Sequence, residues 1–230
     1  MIILLAGEPG TGKTFGAMTF PEPARILDME NRDTAPKDRV VTVEKVKCLT
    51  KDYLDDYPAS LAKLRGMTGA WLRDPTPPSL VLDTVSDIRN TYCYNERLGE
   101  VQVKNPQRTR LAIEEWGEVN DKVEAILFPL INRARKDSLD LVLITQMDDE
   151  WGTAEEERGG RYVKVKARVG RKRACQNWIE YHVDTIVTLA TQERKGEWKY
   201  TAECSKSPVG CWSEDVTGQA LHDVLLEKGL

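Results

Sequence analysis

Short runs of apolar residues that end in polar or acidic residues recur along the chain, and they predict the strands of a central sheet. Continuous apolar runs of this kind are typical of strands that are buried on both faces. The runs lie at residues 2–6, 25–30, 40–43, 80–84 and 140–146. The carboxyl ends of parallel strands open on a common crevice, where ligands bind in open α/β sheets. If the strands lie parallel, we expect the polar residues at their ends to share one site.

Apolar residues at three- and four-residue spacing predict helices between these runs. Prolines limit several of them, because proline lacks the N–H that a helix needs and clashes with the preceding turn. Pro21 stops the first helix, Pro58 breaks or kinks the second, and Pro129 kinks or ends the fourth. The predicted helices cover residues 15–20, 50–64, 87–98, 112–130 and 217–227. Residues 183–190 and 198–204 predict two closing strands joined by a short turn.

The run at residues 2–6 leads directly into the sequence GEPGTGKT, which fits the phosphate-binding pattern G-x-x-x-x-G-K-[ST] at every constrained position. Glycines let the backbone N–H groups point at phosphate oxygens, where a Cβ would intrude. Lys13 is a catalytic as well as a binding candidate, because it can reach the β- and γ-phosphates, and Thr14 can ligate Mg²⁺. An ordinary glycine-rich turn is the alternative, but the strand before the loop and the helix after it favour a nucleotide site. Its predicted members are Gly7, Glu8, Pro9, Gly10, Thr11, Gly12, Lys13 and Thr14.

Three of the predicted strands end in side chains that suit phosphate chemistry. We assign Glu30 as the general base that orients or deprotonates the attacking water; the alternative is that Asp28 and Glu30 only cap the loop that follows. Asp83 is assigned to Mg²⁺, which a carboxylate at this place usually reaches through water. Gln146 is assigned to sensing the γ-phosphate and relaying its presence into the next loop. The alternative is a strand-end glutamine that bonds to the backbone.

The charge pattern changes abruptly after Gln146. Residues 148–157 hold six acids, whereas residues 158–173 hold eight basic residues and no acid. Within the basic run, residues 162–169 alternate apolar with basic, the period of a half-exposed strand or hairpin arm. Basic side chains on one face of such an arm lie about 7 Å apart, comparable with the phosphates of a nucleic-acid strand, and Tyr162 or Trp178 could stack on bases. We therefore predict contact with single-stranded DNA; the alternative is a solvated arm that the acidic run neutralises. The predicted contact residues are Arg161, Lys164, Lys166, Arg168, Arg171, Lys172 and Arg173.

Composition narrows these interpretations. The net charge of −4 argues against a protein whose whole surface coats nucleic acid, although it allows a local basic track. No run approaches the roughly 18 apolar residues that span a membrane, and the short apolar start has no basic segment before it, so we expect neither a membrane span nor a signal peptide. The five cysteines include no C-x-x-C pair, and with two histidines a zinc site is not expected. Reduced thiols favour a cytoplasmic location.

Taken together, the motifs resemble the RecA-like ATPases, and more closely the small phage-type nucleotide-binding proteins of that superfamily. Some of those proteins are associated with single-strand annealing or recombination. The matching segments are residues 7–14, 28–30, 80–84, 143–146 and 183–184, together with Lys206. The phosphate loop is the most specific of them, and its spelling at residues 8–11 is more usual in AAA+ proteins.

The resemblance implies one α/β domain over residues 1–230, with a mostly parallel central sheet flanked by helices and an antiparallel C-terminal extension. It implies ATP and Mg²⁺ as ligands and Glu30 as the catalytic glutamate. It also implies that Gln146 opens a second DNA-binding loop, residues 148–176, which forms a mobile loop or hairpin. Lys206 resembles a strand-end lysine that reaches the nucleotide of a neighbouring subunit in a ring or filament.

Three functions follow from these interpretations. The leading hypothesis is an ATPase that binds single-stranded DNA and assists recombination or strand annealing. The second is a kinase for a nucleoside or nucleotide, with residues 158–173 as its lid. The third is a binding module in which ATP orders the basic run without significant hydrolysis.

Overall fold

The computed structural model describes the backbone of residues 1–31, 39–158, 161–194 and 197–230, and the side chains of the same residues apart from 151–152, 154–158, 161–169 and 194. Nine strands in these ranges form the sheet. They are β1 (Ile2–Gly7), β2 (Ala24–Asp28), β3 (Val41–Lys45), β4 (Ser79–Asp83), β5 (Leu141–Arg158), β6 (Arg161–Arg173), β7 (Thr185–Arg194), β8 (Glu197–Lys206) and β9 (Trp212–Asp215). Their order is β3-β2-β4-β5-β1-β7-β8-β9, and β6 pairs with β5.

Most of the sheet is parallel. Parallel pairs join β3, β2, β4, β5, β1 and β7, whereas β8 and β9 continue the sheet in antiparallel pairs. The predicted fold class, a mostly parallel α/β sheet with an antiparallel C-terminal extension, is thereby confirmed. Because β5 lies between β1 and β4, Gln146 is level with Gly7, the last residue of β1.

β5 and β6 continue beyond the parallel sheet as an antiparallel hairpin. Its register runs from Met147 opposite Arg173 to Arg158 opposite Arg161, with one irregularity next to Glu150. The sequence predicted either a loop or a hairpin over residues 148–176, and the structure has the hairpin. The basic run therefore leaves the sheet from the same strand that carries Gln146.

Helices cover both faces of the sheet. They are α1 (Lys13–Ala17), α2 (Tyr57–Arg73), α3 (Val85–Asp87), α4 (Tyr94–Lys104), α5 (Trp116–Asp137), α6 (Asn177–His182) and α7 (Leu221–Glu227). A π-helical segment, Ile88–Cys93, joins α3 to α4, and a 3₁₀ turn, Ile113–Glu115, precedes α5. Within the described residues, no helix is both long enough and apolar enough to cross a membrane.

Two helices differ from the sequence prediction at their prolines. α2 begins at Tyr57 rather than at residue 50, and Pro58 starts this helix instead of breaking it. Asp56 caps the helix by accepting the N–H of Ala59 at 3.0 Å, and a proline in the first turn removes no helical hydrogen bond. α5 continues through Pro129. Residues on both sides of this proline are buried, and their packing offsets the missing bond.

β1 shows how the sheet is buried. Ile2 and Leu4 belong to a core with side chains of α2, the π-helical segment and α5, whereas Ile3 and Leu5 pack with side chains of α1 and α7. Alternate residues of a strand point to opposite faces, so a continuous apolar run is buried on both. With both faces covered, the carboxyl edge of the sheet is the margin at which polar strand ends meet.

Candidate active site

The phosphate loop joins β1 to α1, and two of its glycines are required by its shape. A Cβ added to Gly7 would lie 2.5 Å from Oγ1 of Thr11 and 2.7 Å from the carbonyl oxygen of Leu189. Gly12 has a φ of +81°, a left-handed conformation that L side chains rarely adopt. α1 begins directly afterwards, at Lys13. The loop is therefore tightly curved between β1 and α1, and Gly7 and Gly12 place no side chain on it.

Lys13 lies over the loop that precedes it. Its Nζ donates to the carbonyl oxygens of Gly7 at 2.9 Å and Glu8 at 2.7 Å, and the residue is buried. Thr11 closes the same turn, since its Oγ1 donates to the carbonyl oxygen of Glu8 at 2.8 Å. The ammonium already lies at the loop that would hold the phosphates, and a change of hydrogen-bond partner would bring it onto them.

Thr14 and Asp83 meet at the floor of the site and could hold Mg²⁺. Oγ1 of Thr14 donates to Oδ2 of Asp83 at 2.5 Å. A hydroxyl and a carboxylate are the hard oxygen ligands that Mg²⁺ takes, together with phosphate oxygens and water. In the part of the chain that the structure describes, no three His, Cys, Asp or Glu side chains form a metal-binding group. This donor set fits an ion that arrives with a nucleotide better than one held by protein ligands alone.

Glu30 and Gln146 are brought together from two strands that flank β4. Nε2 of Gln146 donates to Oε1 of Glu30 at 2.9 Å. The strand-end glutamine therefore bonds to a side chain, whereas the alternative interpretation gave it a backbone partner. In the register of the sheet, Asp28 of β2 is level with Asp83 of β4. Glu30 and Gln146 consequently meet just beyond the end of the strand that supplies Asp83.

Three hydrogen bonds fix the turn that presents Glu30. Oδ1 of Asp28 accepts the N–H of Glu30 at 2.9 Å, and the N–H of Met29 donates to the carbonyl oxygen of Asp83 at 2.7 Å. The hydroxyl of Tyr92 donates to the carbonyl oxygen of Met29 at 2.5 Å. Burial raises the pKa of the Tyr92 phenol well above its usual range, so it remains a donor. The local capping role applies to Asp28, while the side chain of Glu30 contacts Gln146.

Two adjoining cavities open beside the loop. The smaller, of about 280 Å³, is lined by Lys13, Thr14, Asp83 and Gln146 and fits phosphates. The larger, of about 570 Å³, shares Gly12, Phe15 and Met18 with it and is otherwise largely apolar. Its remaining walls include Leu189, Tyr200, Val216 and Leu221.

The sequence did not single out Phe15 or Tyr200 as site residues. Phe15 is 67% exposed on α1. Its position directly after the phosphate-loop motif is the sequence signal that could have marked it. Tyr200 lies in β8, and its ring carbons come within 3.8 Å of a Cβ placed on Gly12. Only the pairing of β8 with β7 brings it there.

The predicted DNA-binding residues are only partly described. Arg171 forms ion pairs with Glu8 of the phosphate loop at 3.0 Å and with Asp149 at 3.2 Å. Arg173 pairs with Glu180 at 2.9 Å. Lys172 lines a polar cavity of about 480 Å³ together with Arg89, which sequence reasoning missed. The side chains of the other predicted contacts, Arg161, Lys164, Lys166 and Arg168, lie outside the described residues.

The register of the hairpin places acids opposite several of its bases. Lys164 is opposite Glu155, Arg171 is opposite Asp149, and Lys172 is opposite Asp148. Lys166 and Arg168 are opposite Thr153 and Trp151. In this register three of the bases lie opposite acids, whereas Lys166 and Arg168 lie opposite neutral residues. The alternative interpretation, a solvated arm that the acidic run neutralises, stays open. DNA contact stays a prediction.

Lys206 does not join the phosphate loop of its own chain. Its Nζ donates to the carbonyl oxygens of Glu180 and Val183, each at 2.6 Å. Lys206 pairs with Ile186, which is level with Leu4 in the middle of β1, and Val183 precedes β7 at the amino edge of the sheet. The phosphate loop follows the other end of β1. A role at a neighbour's nucleotide in a ring or filament stays a prediction, and it would require Lys206 to leave these carbonyls.

Comparison with protein families gives a match over most of this chain. A family model described as an AAA domain, AAA_24, matches residues 1–210. The comparison with curated proteins gives no match. Among solved structures, one that matches is a KaiC-like protein from the hyperthermophilic archaeon Pyrococcus horikoshii OT3, with 15% identity, a TM-score of 0.45, and coverage of 93% of this chain and 83% of that chain.

Proposed function

The chain belongs to the AAA_24 family of AAA domains, whose model matches residues 1–210, and we propose that it is an ATPase that binds single-stranded DNA and assists strand annealing or recombination. The chain is a P-loop ATPase domain; the DNA substrate and the phage-type role in recombination are what the proposal adds. The observation that carries it is the hydrogen bond between Gln146 and Glu30. Gln146 lies on β5, the strand that continues into the basic hairpin, so one strand serves both the hydrolytic site and the hairpin.

The catalytic roles follow from the contacts. Lys13 would exchange its carbonyl partners for the β- and γ-phosphates of ATP. Thr14 and Asp83 would hold Mg²⁺, which neutralises charge on the phosphates when it is bound. Glu30 would accept a proton from the attacking water, and Gln146 holds its carboxylate in place. Hydrolysis in such a site depends on positioning and charge stabilisation more than on covalent chemistry.

The larger cavity suits the nucleoside part of ATP. It adjoins the phosphate cavity and shares Gly12 and Phe15 with it, so a ligand with an anionic tail and an aromatic head could occupy both. The ring of Tyr200 and the exposed ring of Phe15 would contact the base. This arrangement supports a nucleoside triphosphate rather than inorganic phosphate as the ligand.

The hairpin supports the DNA part of the proposal by its position and charge. It leaves the sheet at the edge that carries the phosphate loop, and Arg171 contacts that loop directly. Binding or loss of the γ-phosphate at this loop would therefore alter the contacts of Arg171 at the base of the hairpin. Lys166 and Arg168 lie opposite neutral residues in the register of the hairpin, so we assign them first to the phosphates of DNA.

Phosphate release with and without single-stranded DNA tests the proposal. We expect DNA to raise turnover and to bind with an affinity that falls with salt, by about 0.7 in log–log slope for each phosphate neutralised. The triple variant Lys164→Ala, Lys166→Ala, Arg168→Ala should lose most of this affinity. The matched triple variant of exposed lysines elsewhere, Lys51→Ala, Lys63→Ala, Lys136→Ala, should keep it. The proposal would be contradicted if DNA did not raise turnover and if the triple variant of the hairpin bound DNA as the wild type does. A phosphorylated nucleoside as the product, instead of free phosphate, would favour the kinase.

A further inference from the structure

Arg171 is the residue through which the hairpin touches the phosphate loop. Its Nη2 lies 3.0 Å from Oε1 of Glu8, and its Nε lies 3.2 Å from Oδ1 of Asp149. Asp149 is its direct cross-strand neighbour in the hairpin, whereas Glu8 is the second residue of the phosphate loop. The guanidinium is therefore shared between a carboxylate of the hairpin and a carboxylate of the phosphate loop.

The side chain of Lys13 also contacts Glu8. The ammonium of Lys13 lies 2.7 Å from the carbonyl oxygen of Glu8, while the guanidinium of Arg171 contacts the carboxylate of the same residue. Two cations thus converge on one position of the loop. Lys13 is the side chain that reaches the β- and γ-phosphates, and the guanidinium of Arg171 lies at the same loop, on the side chain of Glu8.

A bound triphosphate would compete with Glu8 for this arginine. The terminal phosphate presents more than one negative charge and several acceptor oxygens, whereas Glu8 presents a single carboxylate that is half exposed to water. A planar guanidinium makes paired hydrogen bonds to phosphate that a lysine ammonium cannot reproduce. If Arg171 moves from Glu8 to the phosphate, the ion pair between Arg171 and Glu8 is lost. The phosphate loop would then lose this contact with the hairpin when ATP binds.

We propose that Arg171 contacts the terminal phosphate of the nucleotide bound to its own chain, and that it is drawn there from its ion pair with Glu8. The inference rests on the proposed ATPase function and assigns Arg171 to the nucleotide rather than to DNA. An arginine supplied by the same chain stabilises charge in phosphoryl transfer in other nucleotide hydrolases. Because Arg171 belongs to β6, a ligand that moves the hairpin would also move this arginine, which links DNA binding to turnover.

Nucleotide binding in the presence of Mg²⁺ tests the proposal without relying on hydrolysis. For Arg171→Ala we expect the Kd for ATPγS to rise about 10- to 100-fold, the loss of one charge-assisted hydrogen-bonding group, and the Kd for ADP to change less than about threefold. Arg171→Lys should recover part of the loss. The matched variant Arg110→Ala removes an exposed arginine from the loop between α4 and α5 and should bind both nucleotides as the wild type does.

Glu8→Gln provides a second, independent measurement. Because Glu8→Gln removes the competing carboxylate, it should raise the ATPγS affinity above the wild-type value, and adding Arg171→Ala to this variant should again cost 10- to 100-fold. Arg171→Ala that binds ATPγS like the wild type, or that loses ATPγS and ADP equally, would overturn the proposal. Wild-type protein that binds ATPγS without hydrolysing ATP would refute the ATPase function and leave the binding test of Arg171 valid; wild-type protein that binds neither nucleotide would overturn both.

Discussion

Gln146 donates a hydrogen bond of 2.9 Å to Glu30, although the two residues are 116 positions apart in the chain. The bond passes over the end of β4, the strand that supplies Asp83. The carboxyl ends of three neighbouring strands, β2, β4 and β5, therefore bring Glu30, Asp83 and Gln146 to the same crevice. This is the arrangement by which an open parallel sheet assembles a site from residues that are distant in sequence.

Replacing Glu30 with Gln should separate hydrolysis from nucleotide binding. The amide keeps the shape of the side chain and can still accept a hydrogen bond from Gln146, but it cannot take a proton from water. We expect phosphate release to fall at least about 100-fold, as the loss of a general base implies, with ATP affinity changed less than about threefold. Single-turnover phosphate release and equilibrium nucleotide binding measure the two quantities.

Glu203→Gln is the matched control for this change, because Glu203 is an exposed residue of β8. It should hydrolyse ATP at the wild-type rate. If Glu30→Gln also released phosphate at the wild-type rate, another group would be the base. If the wild type itself released none, the chain would be a nucleotide-gated binding module.

The phosphate loop was predictable from the sequence because its geometry is local. The spacing of Gly7, Gly12 and Lys13 is set by a turn within eight residues, and the clash at Gly7 involves Thr11 of the same loop. The buried strands were predictable for a similar reason, since each is a continuous apolar run. Local features of this kind leave a signature in neighbouring residues.

The contacts between residues of the site could not be predicted, because they depend on the order of the strands in the sheet. No spacing relates Gln146 to Glu30, Tyr200 to Gly12, or Arg171 to Glu8; each pair meets only after the sheet has formed. The predicted start of α2 was wrong for another reason. Pro58 was treated as a break, whereas the Asp56 cap makes it the first turn of the helix.

Thr14→Ala should raise the Mg²⁺ requirement of the site. The change removes the hydroxyl that bonds to Asp83 and with it one oxygen ligand for the ion. We expect the Mg²⁺ concentration for half-maximal ATP hydrolysis to rise about tenfold, the cost of roughly one such interaction. Thr14→Ser should restore the wild-type value, and removal of Mg²⁺ with EDTA should abolish turnover in all of them.

The control for Thr14 is Thr42→Ala, which removes the same hydroxyl and methyl groups from an exposed position of β3. Its Mg²⁺ titration should superimpose on that of the wild type. Equal titrations for Thr14→Ala and the wild type would exclude Thr14 from the metal site, and Asp83 would then have to hold the ion without it.

Alanine at two glycines should change stability in opposite directions. At Gly7 the new Cβ would approach the carbonyl oxygen of Leu189, a backbone atom, to 2.7 Å, and such overpacking costs about 1–3 kcal/mol. Gly66 lies within α2, and a Cβ there meets no atom within 4 Å. Alanine at that helical position should raise the free energy of unfolding by about 0.5–1 kcal/mol. Urea unfolding measures both differences.

Nucleotide linkage gives the same pair of variants a functional readout. In the presence of Mg²⁺, ATPγS at 100 times its Kd should add about 2.7 kcal/mol to the unfolding free energy of the wild type and of Gly66→Ala. Gly7→Ala should gain much less, because the displaced loop no longer presents its N–H groups to phosphate. A full nucleotide-dependent gain in Gly7→Ala would mean that the loop tolerates a side chain at its tightest contact, and the assignment of residues 7–14 as the phosphate cradle would be wrong.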